Sequence, residues 1–241
     1  MNQITEVKEK RVLAYLQIPY TIYCLAWFMV LGLSVLLINL FVGTLRSRRA
    51  VAGAFARAFL RACGIRVTLA GMQHLPKVPC IVVANHASYI DGLVAAAALP
   101  PDFAFVIKKE MGRVPLAGLI LRGLGSQFVE RFDRHKGGVD TRRVLKLAAA
   151  GQSLVFFPEG TFGETAEIGK FHAGAFATAS RFDMPVVAMA IIGAREVMPS
   201  GAATIRPRPI RVEILEVLAA SEARQRSREL IARAVGEPLA S

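Results

Sequence analysis

The amino-acid sequence predicts an α/β domain with a central mixed, largely parallel sheet covered by helices, preceded by an N-terminal membrane helix and a basic amphipathic helix. Three observations carry this. Beyond Gly64, short β-branched runs alternate with Ala-rich stretches of helical length, the pattern of strands joined by crossover helices. Between Arg11 and Arg46 there is no charged residue, and 18–42 is apolar apart from scattered hydroxyl and amide side chains. From Lys10 to Ile90 there is no Asp or Glu, yet nine basic residues fall there, so most of the net charge of +12 sits in the first third of the 241 residues.

The run 18–42 exceeds the ~20 residues needed to cross a bilayer core. Pro19 suits a first helical turn, where its missing N–H costs nothing, and Tyr20, Tyr23 and Trp27 are rings that settle at lipid interfaces. A secretory signal would have an apolar core of only ~7–15 residues and a small-residue cleavage site, which is not evident here. A buried soluble helix of this length would normally carry polar interruptions. A full span and a hairpin dipping into one leaflet both fit.

The stretch 45–63 places Arg49, Arg57 and Arg61 at helical spacing, with Val51, Phe55, Phe59 and Ala62 on another face and Gly64 as a stop. An anionic membrane surface attracts such a helix, and the alternative is a solvated face packed on the main domain. The larger cluster of positive charge follows the apolar run, which puts the main domain on the cytoplasmic side. The chain thus divides into an anchor with its amphipathic helix, 1–64, and one domain, 65–241.

Within that domain the strands expected are 65–69, 80–84, 103–107, 127–130, 154–157, 186–192 and 210–217, and the helices 92–99, 115–124, 138–150, 173–182 and 221–235. There is no internal repeat and no low-complexity linker. Cys24, Cys63 and Cys80 are far apart and form no C-x-x-C pair, so neither a disulfide framework nor a zinc cluster is expected, and a reducing compartment fits best. The four His have no ligand spacing, so no metal is expected. The charge alone would suit nucleic acid, but it flanks an apolar run and no aromatic-basic RNA motif accompanies it, so no nucleic-acid partner is expected.

In folds of this kind reactive groups gather at strand ends, and two strand ends stand out. The first is Ala84-Asn85-His86 leading to Asp91. In a straight helix five positions turn through about 500°, so His86 and Asp91 meet only if a turn separates them. Asp91 would then hold the imidazole N–H and leave the other nitrogen as a base. Ser88-x-x-Asp91 also fits a helix capping box, in which both residues merely satisfy backbone donors. The second is Phe156-Phe157-Pro158-Glu159-Gly160-Thr161, an apolar strand that stops at Pro and presents a carboxylate, a Gly and a hydroxyl, or simply good turn composition.

Taken together, Asn85-His86-x4-Asp91 and Phe157-Pro158-Glu159-Gly160-Thr161 resemble the glycerophospholipid acyltransferases, above all the bacterial 1-acyl-sn-glycerol-3-phosphate acyltransferases. Two further blocks match in order: Gly125-x-x-Phe128-x-x-Arg131, and the apolar block opened by Met184-Pro185. Weaker matches are Lys108-Lys109-Glu110 with Pro115 and Gly118, and Phe171-x-x-Gly174-Ala175-Phe176. The resemblance covers roughly 65–215 and implies a glycerolphosphate acyltransferase-like fold.

What the resemblance implies for function is acyl transfer from a thioester to the free hydroxyl of lysophosphatidate, giving phosphatidate, at a bacterial inner membrane. His86 and Asp91 would be catalytic and Arg131 would hold the phosphate. Asn85, Glu159, Gly160 and Thr161 would shape the acceptor site, and Lys108, Lys170 and His172 are further candidates for phosphate or donor contacts. No bound cofactor is implied, only a thioester of coenzyme A or acyl carrier protein as co-substrate. Arg142, Arg143 and Lys146 would either receive an acidic carrier protein or form a solvated helix face. One departure bears on the acceptor: the family commonly has a basic residue after Glu-Gly-Thr, and here Phe162 stands there. Another lysolipid is therefore the alternative acceptor, and a non-catalytic lipid-binding protein the third reading.

Overall fold

The computed structural model describes residues 2–130, 137–161, 163 and 165–240, with side chains described from 17 onward except at 137–140. The predicted architecture is present. After two helices, α1 (Asn2–Phe41) and α2 (Leu45–Ala62), come β1 (Val67–Ala70), β2 (Ile81–Ala84), α3 (Asp91–Ala98), β3 (Phe103–Lys108), α4 (Pro115–Gly123) and β4 (Gln127–Val129). The chain continues through α5 (Gly137–Ala149), β5 (Ser153–Phe156), α6 (Gly174–Arg181), β6 (Val186–Ile192), α7 (Ala194–Val197), β7 (Ile210–Leu218) and α8 (Ala223–Val235). The strand order is β1-β7-β6-β2-β5-β3-β4. Among the described residues only the β6–β7 pairing is antiparallel, so β6, β2, β5, β3 and β4 all point one way and their C-terminal ends share one edge.

The central strands are apolar on both faces, as crossover helices on both sides require. In β2, Val82 and Ala84 join the layer of α2 and α3, while Ile81 and Val83 join that of α6 and α8, all of them fully buried. Leu154 of β5 is likewise fully buried. Leu154→Ala should therefore cost about 2–5 kcal/mol, transfer and cavity terms together, which chemical denaturation of the detergent-solubilised protein would measure.

Pro19 lies inside α1, which begins well before it, rather than at a first turn. More consequential is how α1 sits. Gln17, Thr21, Cys24, Leu31, Gly32, Val35 and Asn39 fall at steps of about one or two helical turns and form the stripe turned toward the rest of the chain. Thr204 Oγ1 donates to Gln17 Oε1 (3.2 Å), Ile205 N–H donates to Thr21 Oγ1 (3.0 Å), and the Tyr23 hydroxyl donates to Ala62 O (3.0 Å). The Tyr20 hydroxyl donates to Cys63 O, the Phe28 and Phe59 rings meet edge-on at 5.8 Å, and a Cβ at Gly32 would lie 3.2 Å from Leu116. The other face, including Ile22, Leu25, Met29, Leu33, Leu37, Leu40 and Phe41, is exposed.

Thr44 caps α2 by accepting from Ser47 N–H, and Gly64, at φ +63°, ends it in the left-handed conformation where any Cβ would be strained. Its buried residues are Gly53, Ala56, Phe59 and Leu60. The basic face divides between the two readings, membrane contact and packing on the main domain. Arg49 donates to Leu124 O (2.9 Å) and Gln152 Oε1 (3.2 Å), and Arg57 donates to Ala97 O (3.0 Å), because both lie on the side of α2 that meets the sheet layer. Arg61 stays exposed, and Arg46 forms an exposed pair with Asp102 at 2.7 Å.

Candidate active site

Because β2 and β5 are parallel neighbours, with Val83 beside Phe156, the two chemistry-bearing strand ends emerge side by side. Asn85 comes first. It is fully buried, and its amide makes a reciprocal pair with Ile191 of β6: Nδ2 donates to Ile191 O (2.9 Å) and Oδ1 accepts from Ile191 N–H (2.8 Å). With those bonds made across the sheet, Asn85 fixes where the chain leaves β2, and it is not among the residues that line the cleft described below.

Residues 86–90 are not helical, and α3 starts at Asp91, so the turn needed to bring His86 and Asp91 together is present. His86 Nδ1 lies 2.9 Å from Asp91 Oδ2. That oxygen also accepts from Ala87 N–H (2.7 Å) and Ser88 N–H (2.8 Å), while no described group hydrogen-bonds Oδ1. Asp91 is fully buried at the N-terminus of α3, where the helix dipole favours a carboxylate. An ionised carboxylate only accepts, so Nδ1 carries the proton and the basic lone pair is at Nε2. Both residues also satisfy backbone donors, as the capping reading has it: Asp91 takes Ala87 and Ser88 N–H, and the Ser88 hydroxyl accepts from Ile90 N–H (3.4 Å) while donating to Met198 O (2.7 Å).

The imidazole is about one-fifth exposed, enough to meet a ligand from one side, and the Phe157 ring stands 4.7 Å from it, centroid to centroid. Both rings border a cleft of about 550 Å³. At this end the cleft also has Tyr89, Lys108, Gly160 and Thr161; its far walls are apolar, from Phe28 and Leu31 of α1, Phe55 of α2 and Leu121 of α4. An apolar cleft ending at a carboxylate-held imidazole has room for a hydrocarbon chain with its reactive end at His86.

Glu159 does not face the cleft. Its Oε1 accepts from His86 N–H (2.7 Å) and its Oε2 from Gly169 N–H (2.8 Å). Burial pushes its pKa above the ordinary carboxylate range, while those two backbone donors and the nearby His86 pull it back. Gly160, at φ +83°, and Thr161 follow at the cleft wall. Lys108 also lines the cleft, with Glu110 at 3.7 Å. Lys170 and His172 are exposed and do not line it, so the structure does not bring them to the imidazole. Arg131 and Phe162 lie outside the described residues. Arg142, Arg143 and Lys146 are exposed on α5. Burial pushes the Cys80 thiol up to about 11 and raises Cys63 as well, so neither is an activated nucleophile.

The sequence motifs did not show the contribution of α1 to the cleft, nor the Phe157 ring against the imidazole. For Phe157 the signal was adjacency to Pro158-Glu159 at a strand end; for Phe28 and Leu31 there was none, since apolar residues surround both in the sequence.

A carboxylate-oriented histidine at the shared end of parallel strands is the arrangement to compare with known proteins, and the sequence model of the acyltransferase family matches residues 66–192, just over half of the chain. The chain belongs to that family. A chloroplastic 1-acyl-sn-glycerol-3-phosphate acyltransferase of Brassica napus is 30% identical over 138 residues, 56% of this chain and 40% of that protein. The enzyme of that name from Helicobacter pylori is 31% identical over 153 residues, covering 60% and 64%. A lysophosphatidylcholine acyltransferase of Drosophila melanogaster is 31% identical over 132 residues, covering 49% and 24%. This chain spans less than half the length of the plant relatives it matches. In fold it resembles the crystal structure of a 1-acyl-sn-glycerophosphate acyltransferase from Thermotoga maritima, with a TM-score of 0.77 at 22% identity over 94% of this chain and 96% of that one.

Proposed function

We propose that this protein transfers an acyl group from a thioester to the free hydroxyl of 1-acyl-sn-glycerol 3-phosphate. The observation that carries this reading is the Asp91-held imidazole of His86 in the wall of a largely apolar cleft, in a chain whose relatives bear that activity in their names. His86 Nε2 takes the proton of the acceptor hydroxyl as its oxygen attacks the thioester carbon, and Asp91 stabilises the imidazolium that forms. The C–S bond then breaks and the imidazolium returns the proton to the departing thiolate, so ester and thiol are the products. The thioester is already activated, so no acyl-enzyme is required. Nor does the chemistry call for a metal or a bound cofactor. Both coenzyme A and acyl carrier protein would serve as donor carrier; the exposed Arg142, Arg143 and Lys146 suit the acidic carrier. Lys108 at the cleft, with Arg131, is the proposed partner of the acceptor's phosphate.

The membrane arrangement follows from α1. Gln17–Phe41 is 25 residues long and apolar enough to cross a bilayer, but one face of it is packed along the catalytic domain from Gln17 to beyond Gly32. A stripe of the helix thus meets protein while most of its surface stays exposed. The reading it supports is insertion into one leaflet, its exposed face among the acyl chains and the cleft beside it open to lipid, with the domain on the cytoplasmic side.

A second acceptor is favoured by two specific observations: Phe162 after Glu-Gly-Thr, and the 31% identity to a lysophosphatidylcholine acyltransferase. A panel of lysolipids offered to membranes containing the protein, with acyl-coenzyme A and with acyl carrier protein as donors, separates the two. Lysophosphatidate should be acylated faster than lysolipids with larger head groups. Equal or faster acylation of lysophosphatidylcholine would overturn the assignment of the acceptor but leave the reaction.

A further inference from the structure

We propose that the segment 237–240 after α8, gripped by Arg195 and Arg228, is a strap that sets the position of His86 through Gly169 and Glu159. The inference rests on the reading of His86 as the base; what is new is which distant residues hold that base in place.

Each link is a hydrogen bond. Ile168 N–H donates to Pro238 O (2.8 Å) and Ala240 N–H donates to Ile168 O (3.0 Å), so the segment pairs with Ile168 as a short parallel bridge. Arg228 fastens the bridge from α8: its guanidinium donates to Gly169 O (2.8 Å), Ile168 O (2.9 Å) and Ala240 O (2.6 Å). Arg195 of α7 fastens the other end with a two-pronged pair to Glu237, at 2.9 and 3.2 Å, and also reaches Gly163 O. The Arg195 and Glu237 side chains are only 16% and 12% exposed, so removing one would leave the other charge poorly solvated.

The strap ends at Gly169, whose N–H donates to Glu159 Oε2 while Glu159 Oε1 accepts from His86 N–H. A Cβ at 169 would stand 3.1 Å from Glu159 Oε2, so glycine permits this close approach. Glu159 thus joins two loops, its two oxygens each taking a backbone donor, and the loop that carries Gly169 is held on one side by the strap and on the other by His172 N–H on Pro158 O and the buried Phe171. Asp91 fixes the rotation of the imidazole; Glu159 fixes the backbone it hangs from. Arg195, Arg228 and 237–240 all lie beyond the 66–192 segment that matches the family, so the motifs themselves gave no sign of them. By this account Arg195, Arg228, Glu237 and Glu159 are positioning residues.

The test combines two readouts on the full chain in detergent micelles: amide hydrogen exchange at His86 and Gly169, and steady-state transfer to lysophosphatidate. Arg228→Lys keeps the charge but loses the fork that reaches three carbonyls, and Ala240→Pro removes one N–H donor of the bridge. Each should speed exchange at both amides and lower kcat by about tenfold, with acceptor KM changed less than about twofold, because the base is displaced and the lipid site is not. Arg226→Gln, on the exposed side of α8 and paired with Glu216, should leave both readouts unchanged. Combined with Glu159→Gln, Arg228→Lys should lower kcat no further than Glu159→Gln alone, since both cut one line of contact.

Unchanged exchange at His86, additive losses in the double variant, or a rise in KM with kcat intact would overturn the strap. If the wild-type protein transferred no acyl group to any lysolipid, the proposed function would fail while the exchange measurement still decided the strap.

Discussion

His86→Ala should reduce acyl transfer by roughly 10²–10⁴-fold while leaving the protein folded. The magnitude follows from the role. A lysolipid hydroxyl is a poor nucleophile at neutral pH, and the proposed acceleration comes from removing its proton as the new bond forms. Stability should change little: the ring is partly exposed, and Asp91, which lies against its Nδ1, keeps the Ala87 and Ser88 N–H groups as donors. A fall in kcat accompanied by loss of cooperative thermal unfolding would point to a structural histidine instead.

Asp91→Asn should cost roughly 10²–10⁴-fold in kcat, because an amide orients the ring without supplying the negative charge that stabilises an imidazolium. The amide oxygen can take the place of Oδ2 and keep accepting from His86 Nδ1–H, Ala87 N–H and Ser88 N–H. Its NH₂ then occupies the Oδ1 position, which is buried and has no described partner. Since Oδ1 has no described partner in the unsubstituted protein either, the loss of stability should stay below about 1–3 kcal/mol, the cost of newly orphaning a buried group. Asp91→Ala would orphan backbone donors as well and is the less informative variant. A kinetic scan beside a thermal melt separates the effects: a large loss in kcat with a small loss in Tm supports the charge role, whereas parallel losses would reduce Asp91 to a cap.

Much of this was legible in the residues. The strands at 81–84, 153–156 and 186–192 were readable because buried strands of a parallel sheet are continuous apolar runs, and the break at Asn85 or Pro158 marks where each run ends. The antiparallel direction of β7 was not readable, since nothing in its alternating pattern states which way it runs beside β6. α7, four residues long, is too short to show a helical period. The apolar run of α1 announced lipid but concealed its packing, because lipid and protein core select the same side chains and the stripe through Cys24 and Val35 has no compositional mark. The motifs pointed to Asn85 and Glu159 as substrate contacts, and in the fold both lie beside His86 with their side chains bonded to the main chain at Ile191, His86 and Gly169. A polar residue at a strand end looks the same in sequence whether it meets a ligand or a backbone. The Arg195–Glu237 pair joins residues 42 positions apart and could come only from the fold.

The most direct test of the central claim is the time course of thiol release from an acyl thioester by the protein in lipid vesicles, followed with and without lysophosphatidate. Direct transfer with His86 as base predicts release only when the acceptor is present, matched mole for mole by phosphatidate, with no initial burst and with the rate nearly abolished in His86→Ala. A burst of thiol stoichiometric with protein in the absence of acceptor, or phosphatidate formation undiminished in His86→Ala, would contradict it.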